Sequence, residues 1–168
     1  MDLISGNHDF TFYHEIGADI CKAIAKYRHD ITYHGQNKAT IYVGKNNNIP
    51  IKIQHPDKGS TDVTSTRIQK SIEKLDTKDN PKVVFQGHYH RYYNFTDRNM
   101  EGFLTPCFIG GSIFIDKCEL PNEIGGILYD MYVNDKAEVI YTEYEPIIFN
   151  KNDIDNEIYK KIKKLVIK

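Results

Sequence analysis

The chain has 168 residues, of which 40% are hydrophobic and 12% aromatic, so a single domain with its own core is expected rather than a disordered chain. Its 22 basic and 23 acidic residues give a net charge of −1, which excludes the overall basic field of a dedicated nucleic-acid-binding protein. No signal peptide is visible, and no apolar run approaches the roughly 20 residues that cross a bilayer. We therefore expect a soluble, cytoplasmic protein with no membrane partner.

Three cysteines, Cys21, Cys107 and Cys118, form no C-x-x-C pair and are odd in number. We interpret them as reduced, buried thiols, in agreement with a cytosolic protein. Zinc binding by these cysteines is the less favoured alternative, because they lack the paired spacing of a zinc site.

Short apolar runs separated by turn residues predict the elements of the first half of the chain. Two helices are predicted, one with apolar residues at i, i+3, i+4 and i+7 from Ile20 to Tyr27, and one over about residues 64–75 with Ile72 in its inward stripe. The predicted strands cover residues 3–4, 31–33, 40–43 and 49–53.

The second half is predicted to be rich in strands and to end in a helix. The predicted strands cover residues 82–86, 103–109, 127–133 and 138–144, and the last two form a hairpin. Residues 153–166 have the apolar spacing of an amphipathic helix whose other face carries four lysines. That face is either solvated or a patch that follows phosphates, and the first interpretation is favoured.

Three histidine-bearing segments each follow a predicted strand. They are Gly6-Asn7-His8-Asp9, His55-Pro56 and Gly87-His88-Tyr89-His90. Because loops at the ends of neighbouring strands meet at one edge of a sheet, we expect all three segments at the edge of a single sheet.

The spacing of His88 and His90 is the most specific of these signals. One residue separates the two histidines just after a strand, and Gly87 provides the backbone freedom that such a turn needs. This arrangement suits a cluster of two metal ions in which each histidine binds a different ion. His14, His29 and His34 have no such spacing and are interpreted as ordinary surface or core residues.

Together, the Gly-Asn-His-Asp, His-Pro and Gly-His-Tyr-His segments resemble those of the calcineurin-like metallophosphoesterases. The His-Asp ending of the first segment is most similar to the prokaryotic and viral phosphodiesterase and nuclease-like members. The resemblance runs from residue 2 to about residue 145. It implies an α+β fold of the four-layer αββα sandwich type in residues 1–145, with residues 146–168 appended as a C-terminal amphipathic helix.

The resemblance also implies a role for each matching position. Asn7, His55 and His88 would be ligands of one divalent ion, and His90 a ligand of a second. His8 would hydrogen-bond a phosphate oxygen and protonate the leaving group, and Asp9 would hold His8 in the required tautomer. Arg91 is a further candidate for substrate binding.

Two divalent ions neutralise the charge of a phosphoester, lower the pKa of a bridging water and stabilise both the attacking and the leaving oxygen. Imidazole and amide ligands suit Mn²⁺ best in our interpretation, with Fe²⁺ or Zn²⁺ as alternatives and Mg²⁺ less favoured.

Two other motifs of the family, Asp-x-His and Gly-Asp-x-x-Asp, do not occur in the sequence. The first ion would therefore have three neutral ligands and the second only His90. We expect the chain to be an N-terminally truncated portion of the family fold, completed either by upstream sequence or by a partner chain with the missing half-site. Self-association through an exposed sheet edge is a further expectation.

The leading hypothesis is a metal-dependent hydrolase of phosphoesters, most favourably phosphodiesters, whose activity as an isolated chain is open. The alternative is a non-catalytic domain or subunit that binds metal or phosphate. A nucleic-acid substrate would need a basic, aromatic-lined groove, for which Arg91, Tyr92, Tyr93 and Arg98 are candidates. The competing interpretation, which we favour, is that the tyrosines pack against the sheet edge and the arginines are solvated.

Overall fold

A computed structural model of the protein describes residues 1–45, 48–57, 64–73, 81–97, 99–110, 122–136 and 138–149. Within these residues, the three helices and nine strands form a mixed α+β fold, so the predicted fold class is confirmed. No helix in the described part of the chain is long and apolar enough to cross a membrane.

The described elements follow one another along the chain in two groups. The first half contains β1 (Asp2–Ser5), α1 (Asp9–Ile16), α2 (Ile20–Tyr27), β2 (Thr32–Gln36), β3 (Lys38–Val43) and β4 (Ile49–Gln54). The second half contains α3 (Thr64–Glu73), β5 (Val83–Gln86), β6 (Tyr93–Asp97), β7 (Met100–Leu104), β8 (Ile124–Val133) and β9 (Val139–Phe149).

The main sheet has five strands in the order β3-β4-β5-β7-β6. Strands β4, β5 and β7 are parallel, and the edge strands β3 and β6 pair with them in antiparallel orientation. The register places Gln54 beside Gln86, and their side chains are joined by a hydrogen bond of 2.6 Å. Because both residues end their strands, His55 and Gly87 emerge next to each other at one edge of the sheet.

Strand β1 lies outside this sheet, because it pairs in parallel with β2 in a separate two-stranded sheet. The expectation that all three histidine segments leave one sheet is therefore wrong. Asn37 connects the two sheets: its N–H donates to Ser5 O at 3.0 Å, and its carbonyl accepts from the His55 N–H at 2.6 Å. Asn37 adopts φ 63°, a left-handed conformation that asparagine tolerates better than most residues.

One face of the five-stranded sheet is sealed by α3. The side chains of Ile72, Val84 and Leu104 are fully buried there and form the core with Met100 and Tyr89. Burying each large aliphatic side chain stabilises the fold by about 1.5–3 kcal/mol relative to leaving it exposed. The inward position predicted for Ile72 is confirmed.

The opposite face carries aromatic residues and is covered by the β8–β9 hairpin. Phe85 and Phe103 stack with ring centroids 5.4 Å apart, and Tyr129 packs edge-on against both rings. Glu101 anchors the hairpin, because its carboxylate accepts from the Tyr129 hydroxyl at 2.6 Å and the Thr142 hydroxyl at 2.8 Å. Burial and this contact with Glu101 strongly raise the pKa of Tyr129, so the tyrosine remains a donor.

The layers follow the predicted αββα order. Strand β1 lies on the same side of the main sheet as the hairpin, because Ile4 shares a cleft with Ile53 and Phe85. Helix α2 packs on the other side of β1 and β2, where the Cys21 thiol contacts Ser5. The order is α3, the five-stranded sheet, the two small sheets, and then α2.

Several local predictions differ from the structure. The stripe predicted for α2 is wrong, because Ile24 and Tyr27 are 43% and 82% exposed while Cys21 is buried. Helix α1 and strand β6 were not predicted, and β7 begins and ends earlier than the predicted strand at 103–109. Both hairpin strands are confirmed with longer bounds.

Some predictions concern residues outside the described ranges. These are Cys118, Arg98, the helix at 153–166 and the far end of the helix predicted at 64–75. The division into residues 1–145 and 146–168 stays a prediction.

Candidate metal centre

Three side chains predicted to bind one ion converge in the structure. The Asn7 Oδ1 atom lies 2.7 Å from His55 Nε2 and 3.3 Å from His88 Nδ1. The rings of His55 and His88 are nearly perpendicular, with centroids 5.2 Å apart. Asn7 follows β1, His55 follows β4 and His88 follows β5, so residues 81 positions apart in the chain meet at one point.

The ring of His55 is held between two glycines. A Cβ atom on Gly6 would lie 2.7–3.0 Å from three atoms of this ring, and one on Gly87 would lie 3.2 Å from its Nδ1 atom. Any side chain at Gly6 would therefore force the ring to move. The glycines of the first and third segments thus bring their backbones against the histidine of the second.

The backbone of the third segment is strained at its histidines. His88 has φ 85° and His90 has φ 52°, both in the left-handed region that costs a non-glycine residue about 1–3 kcal/mol. The sequence predicted that Gly87 supplies backbone freedom for the turn. Its φ is not left-handed, and its missing side chain instead makes room for the His55 ring. Such strain persists only where surrounding contacts hold it.

Burial lowers the pKa of two of the candidate histidines, which favours their neutral form. It lowers the pKa of His55, and the nearby His88 and His8 lower it further, while Asp9 and Asp57 oppose the shift. Burial also lowers the pKa of His90, opposed by a hydrogen bond to Asn122, with His8 lowering it slightly more. Neutral rings at neutral pH leave nitrogen lone pairs for a metal ion.

His8 and Asp9 stand at the start of α1. His8 is exposed and close enough to lower the pKa of both His55 and His90. From this position it could reach a ligand bound at those histidines. The Asp9 carboxylate accepts a hydrogen bond of 2.7 Å from the Gly6 N–H and also contacts the Cys21 thiol. Asp9 therefore orders the first loop, and its predicted pairing with His8 stays a prediction.

Two residues that the sequence did not predict contact His90. Asn122 hydrogen-bonds the His90 ring, and the Glu123 N–H donates to the His90 carbonyl at 2.7 Å. No spacing or motif marks these two residues, because they lie 32 and 33 positions after His90 and precede an ordinary strand. Only the tertiary contact identifies them.

The two tyrosines after His90 pack against other side chains, whereas the role of Arg91 is a prediction. Tyr93 packs against the core cluster and Tyr92 contacts Tyr144, which supports the interpretation that these tyrosines pack at the sheet edge. Arg91 is partly buried, and its role in substrate binding stays a prediction.

The donors at Asn7, His55 and His88 fit a divalent transition-metal ion. Ligands that share one ion at bond lengths of about 2.0–2.1 Å stand roughly 3 Å apart. The distances from Asn7 Oδ1 to His55 Nε2 and His88 Nδ1, 2.7 and 3.3 Å, are close to this value. Within the described residues, no group of three or more His, Cys, Asp or Glu side chains forms a metal site, so the third donor is an amide oxygen. Two imidazoles and an amide favour a borderline ion over Mg²⁺.

A cleft of about 310 Å³ opens beside His55. Its walls are apolar at Ile4, Ile53 and Phe85, while the polar side chains of Asp9, Gln54 and Thr105 lie at the same opening. The candidate centre is therefore accessible from the gap between β1 and the hairpin face of the main sheet.

No family model matches the chain, and no curated protein matches it. Solved structures with some similarity include Vps29 from Entamoeba histolytica complexed with Zn²⁺, at a TM-score of 0.38 and 14% identity over 71% of this chain and 64% of that one. Vps29 from Chaetomium thermophilum gives 0.37 and 8% identity over 77% and 74% of the two chains, and a Thermotoga maritima protein gives 0.33 and 12% over 77% and 73%. This chain spans less than two thirds of the first protein. At such low TM-scores and identities, these similarities assign neither a family nor an activity.

Proposed function

We propose that this chain binds a divalent metal ion through Asn7, His55 and His88 and uses it to hydrolyse phosphoesters, with phosphodiesters as the preferred class. The observation that carries the proposal is that two imidazole nitrogens, of His55 and His88, lie within 3.3 Å of Asn7 Oδ1, although the three residues follow strands of two different sheets. Mn²⁺ is the proposed ion, with Fe²⁺ or Zn²⁺ as alternatives.

The residues around the three donors support a catalytic role. A bound divalent ion would neutralise phosphate charge and lower the pKa of a coordinated water. His8, exposed near His55, is the group that we propose to hydrogen-bond a phosphate oxygen and to give a proton to the leaving oxygen. His90 is the proposed ligand of a second ion, and Arg91 the proposed contact of the substrate's phosphate.

Metal binding without catalysis is the second candidate, and the donor set favours it on one point. All three donors are neutral, so they do not compensate the charge of a divalent ion as a carboxylate would. A partner chain, or a second copy of this one, would then have to supply the carboxylate. Among the described residues, the cleft beside His55 offers space for such a segment.

The test is hydrolysis of bis(p-nitrophenyl) phosphate with Mn²⁺, combined with calorimetric titration of Mn²⁺ into the metal-free protein. His88→Ala removes one donor of the centre. His29→Ala is the matched control, because His29 is exposed and precedes the start of the parallel β1–β2 pair, whereas Asn7 follows its other end. Turnover that depends on Mn²⁺, survives in His29→Ala and disappears in His88→Ala is the expected result.

The two candidate functions give different results in this experiment. Binding of Mn²⁺ that is lost in His88→Ala, without turnover at any protein concentration, would favour the non-catalytic role. Turnover that rises more steeply than protein concentration would indicate that a second copy completes the site. Absence of both binding and turnover in a folded protein would refute the proposal.

A further inference from the structure

We propose that Asn122 and Glu123 are positioning residues that together hold the strained His90 loop and aim the His90 ring for metal binding. This inference rests on the proposed metal-binding function and extends it to two residues that precede β8. We refer to these two residues as the 122–123 clamp.

Glu123 contacts the loop on both sides of Arg91. Its N–H donates to the His90 carbonyl oxygen at 2.7 Å, and its carboxylate accepts a short hydrogen bond from the Tyr92 N–H. Two main-chain groups of the loop are therefore fixed by one residue. A charged acceptor makes a stronger hydrogen bond than a neutral one, so Glu123 offsets part of the cost of the left-handed φ of His90.

Asn122 acts on the ring of the same histidine. Its Nδ2 atom donates to Ile109 O at 3.2 Å, which leaves the Oδ1 atom of the same amide as an acceptor. The Cys107 thiol donates to this Oδ1 atom at 3.1 Å. The Asn122 side chain also hydrogen-bonds the His90 ring. Because Nδ2 of Asn122 faces Ile109 O and its Oδ1 atom already accepts from Cys107, we assign Oδ1 as the acceptor and a ring N–H as the donor.

This contact determines which nitrogen of His90 is available. When one ring nitrogen donates its proton to a carbonyl oxygen, the other keeps its lone pair and is the one that binds metal. Partners of this kind orient histidine ligands in metal sites, and their loss lowers metal affinity by about 10–100-fold. Asn122 sets the tautomer and the direction of the ring, while Glu123 sets the backbone beneath it.

The clamp also links the site to the hairpin. The Cys107 N–H donates to Glu123 O at 3.0 Å, and the Gly125 N–H donates to Cys107 O at 2.8 Å. Strand β8 begins at the next residue, Ile124, which is buried. These hydrogen bonds with Cys107 therefore connect residues 122–123 and the start of the hairpin to the rest of the fold.

The test follows amide hydrogen exchange and histidine ring signals of the full chain by NMR, with Zn²⁺ alone as the probe. The variants are Glu123→Ala, Glu123→Gln, which keeps an acceptor oxygen, and Asn122→Ala. Glu138→Ala is the control, because Glu138 is exposed beside the turn of the hairpin, at the end opposite residues 122–123.

We expect Glu123→Ala to speed exchange of the Tyr92 amide at least tenfold without metal, because its acceptor is removed, and Glu123→Gln to restore part of the protection. With Zn²⁺, both alanine variants should raise the concentration that shifts the His90 ring by about 10-fold or more. The same titration should shift His55 and His88 within twofold of the wild-type concentration.

Unchanged protection at Tyr92 in Glu123→Ala, or equal weakening at His55, His88 and His90, would overturn the positioning role. If Zn²⁺ shifts the ring signal of no histidine in the wild-type protein, the proposed function fails. Hydrogen exchange then tests the role of the 122–123 clamp separately. Faster exchange at Tyr92 with unchanged exchange at Gly87 would then support it, whereas no difference would overturn it.

Discussion

The two sides of the candidate centre are built in different ways. Around His55, the backbones of Gly6 and Gly87 lie against the ring, and the nitrogens of His55 and His88 both lie within 3.3 Å of Asn7 Oδ1. Around His90, side-chain and main-chain hydrogen bonds from residues 122–123 hold a strained loop. The first side depends on close packing and strand register, and the second on polar contacts from a remote segment.

This difference shows which changes each side should tolerate. Close packing fails when a single atom is added, because the interior cannot expand without cost. Polar contacts fail when an acceptor is removed, and they can be partly restored by a residue that keeps the acceptor.

Gly6→Ala should have the largest effect, and it should act on the His55 side. The added Cβ atom would lie 2.7–3.0 Å from the His55 ring, which must then leave Asn7. We expect a loss of metal affinity of about 10–100-fold and a decrease in the free energy of unfolding of about 1–3 kcal/mol. Calorimetric metal titration and urea denaturation measure the two effects.

Gly110→Ala is the matched control for this variant. Among the atoms of the described residues, none lies within 4 Å of the position that its Cβ would occupy. Stability and metal affinity should stay at wild-type values. If Gly6→Ala binds metal as tightly as Gly110→Ala, the packing account of the His55 side is wrong.

Glu101→Ala should have the next largest effect, and it should act through the hairpin. It leaves the hydroxyl groups of Tyr129 and Thr142 without their acceptor, which should lower the free energy of unfolding by about 1–3 kcal/mol. Because the hairpin carries residues 122–123, exchange should increase at Tyr92 and at β8 before it increases at β4. If exchange increased equally at Tyr92, β8 and β4, the His90 side of the centre would not be attached to the fold separately from the His55 side.

Lowering the pH should have a smaller effect, shared by both sides. Burial holds the folded-state pKa values of His55 and His90 below the usual value of about 6.5. Their contribution to stability is therefore complete above about pH 6.5 and is lost as the pH falls toward the folded-state values. Both rings are partly exposed, so solvent screening limits the effect, and we expect a melting temperature a few degrees lower at pH 5 than at pH 7.

This pH experiment requires a chelator, so that metal release does not contribute. His55→Gln should flatten the dependence of the melting temperature on pH, because it removes one of the two titrating rings. An equally steep dependence in that variant would assign the effect to other groups.

Asn37 offers the smallest and most local test, at the connection between the two sheets. Asn37→Ala places an ordinary side chain at φ 63° and should cost about 1 kcal/mol, whereas Asn37→Gly should be nearly neutral. The Asn37 Oδ1 atom is buried without a hydrogen-bond partner in the described part of the chain, so losing this side chain should cost little in itself. A glycine variant as unstable as the alanine variant would show that the side chain matters more than the conformation.

The sequence predicted much of the local structure because that information is local. Strand β5 follows directly from Val83-Val84-Phe85, and the hairpin from its alternating strands around residues 134–136. The buried stripe of α2 was wrong because helix amphipathicity does not specify which neighbour covers the helix. Helix α1 was missed because its residues lack an apolar stripe, and none of them is buried.

The sequence by itself determined the α+β class, the three histidine segments and the glycines that accompany them, because these depend on residue type and short-range spacing. Tertiary structure alone decided that β1 lies in a different sheet from β4 and β5, and that Asn37 connects them. It also decided that residues 122–123 hold His90. Strand pairing and polar contacts between distant segments depend on how the layers pack, and no local pattern records that packing.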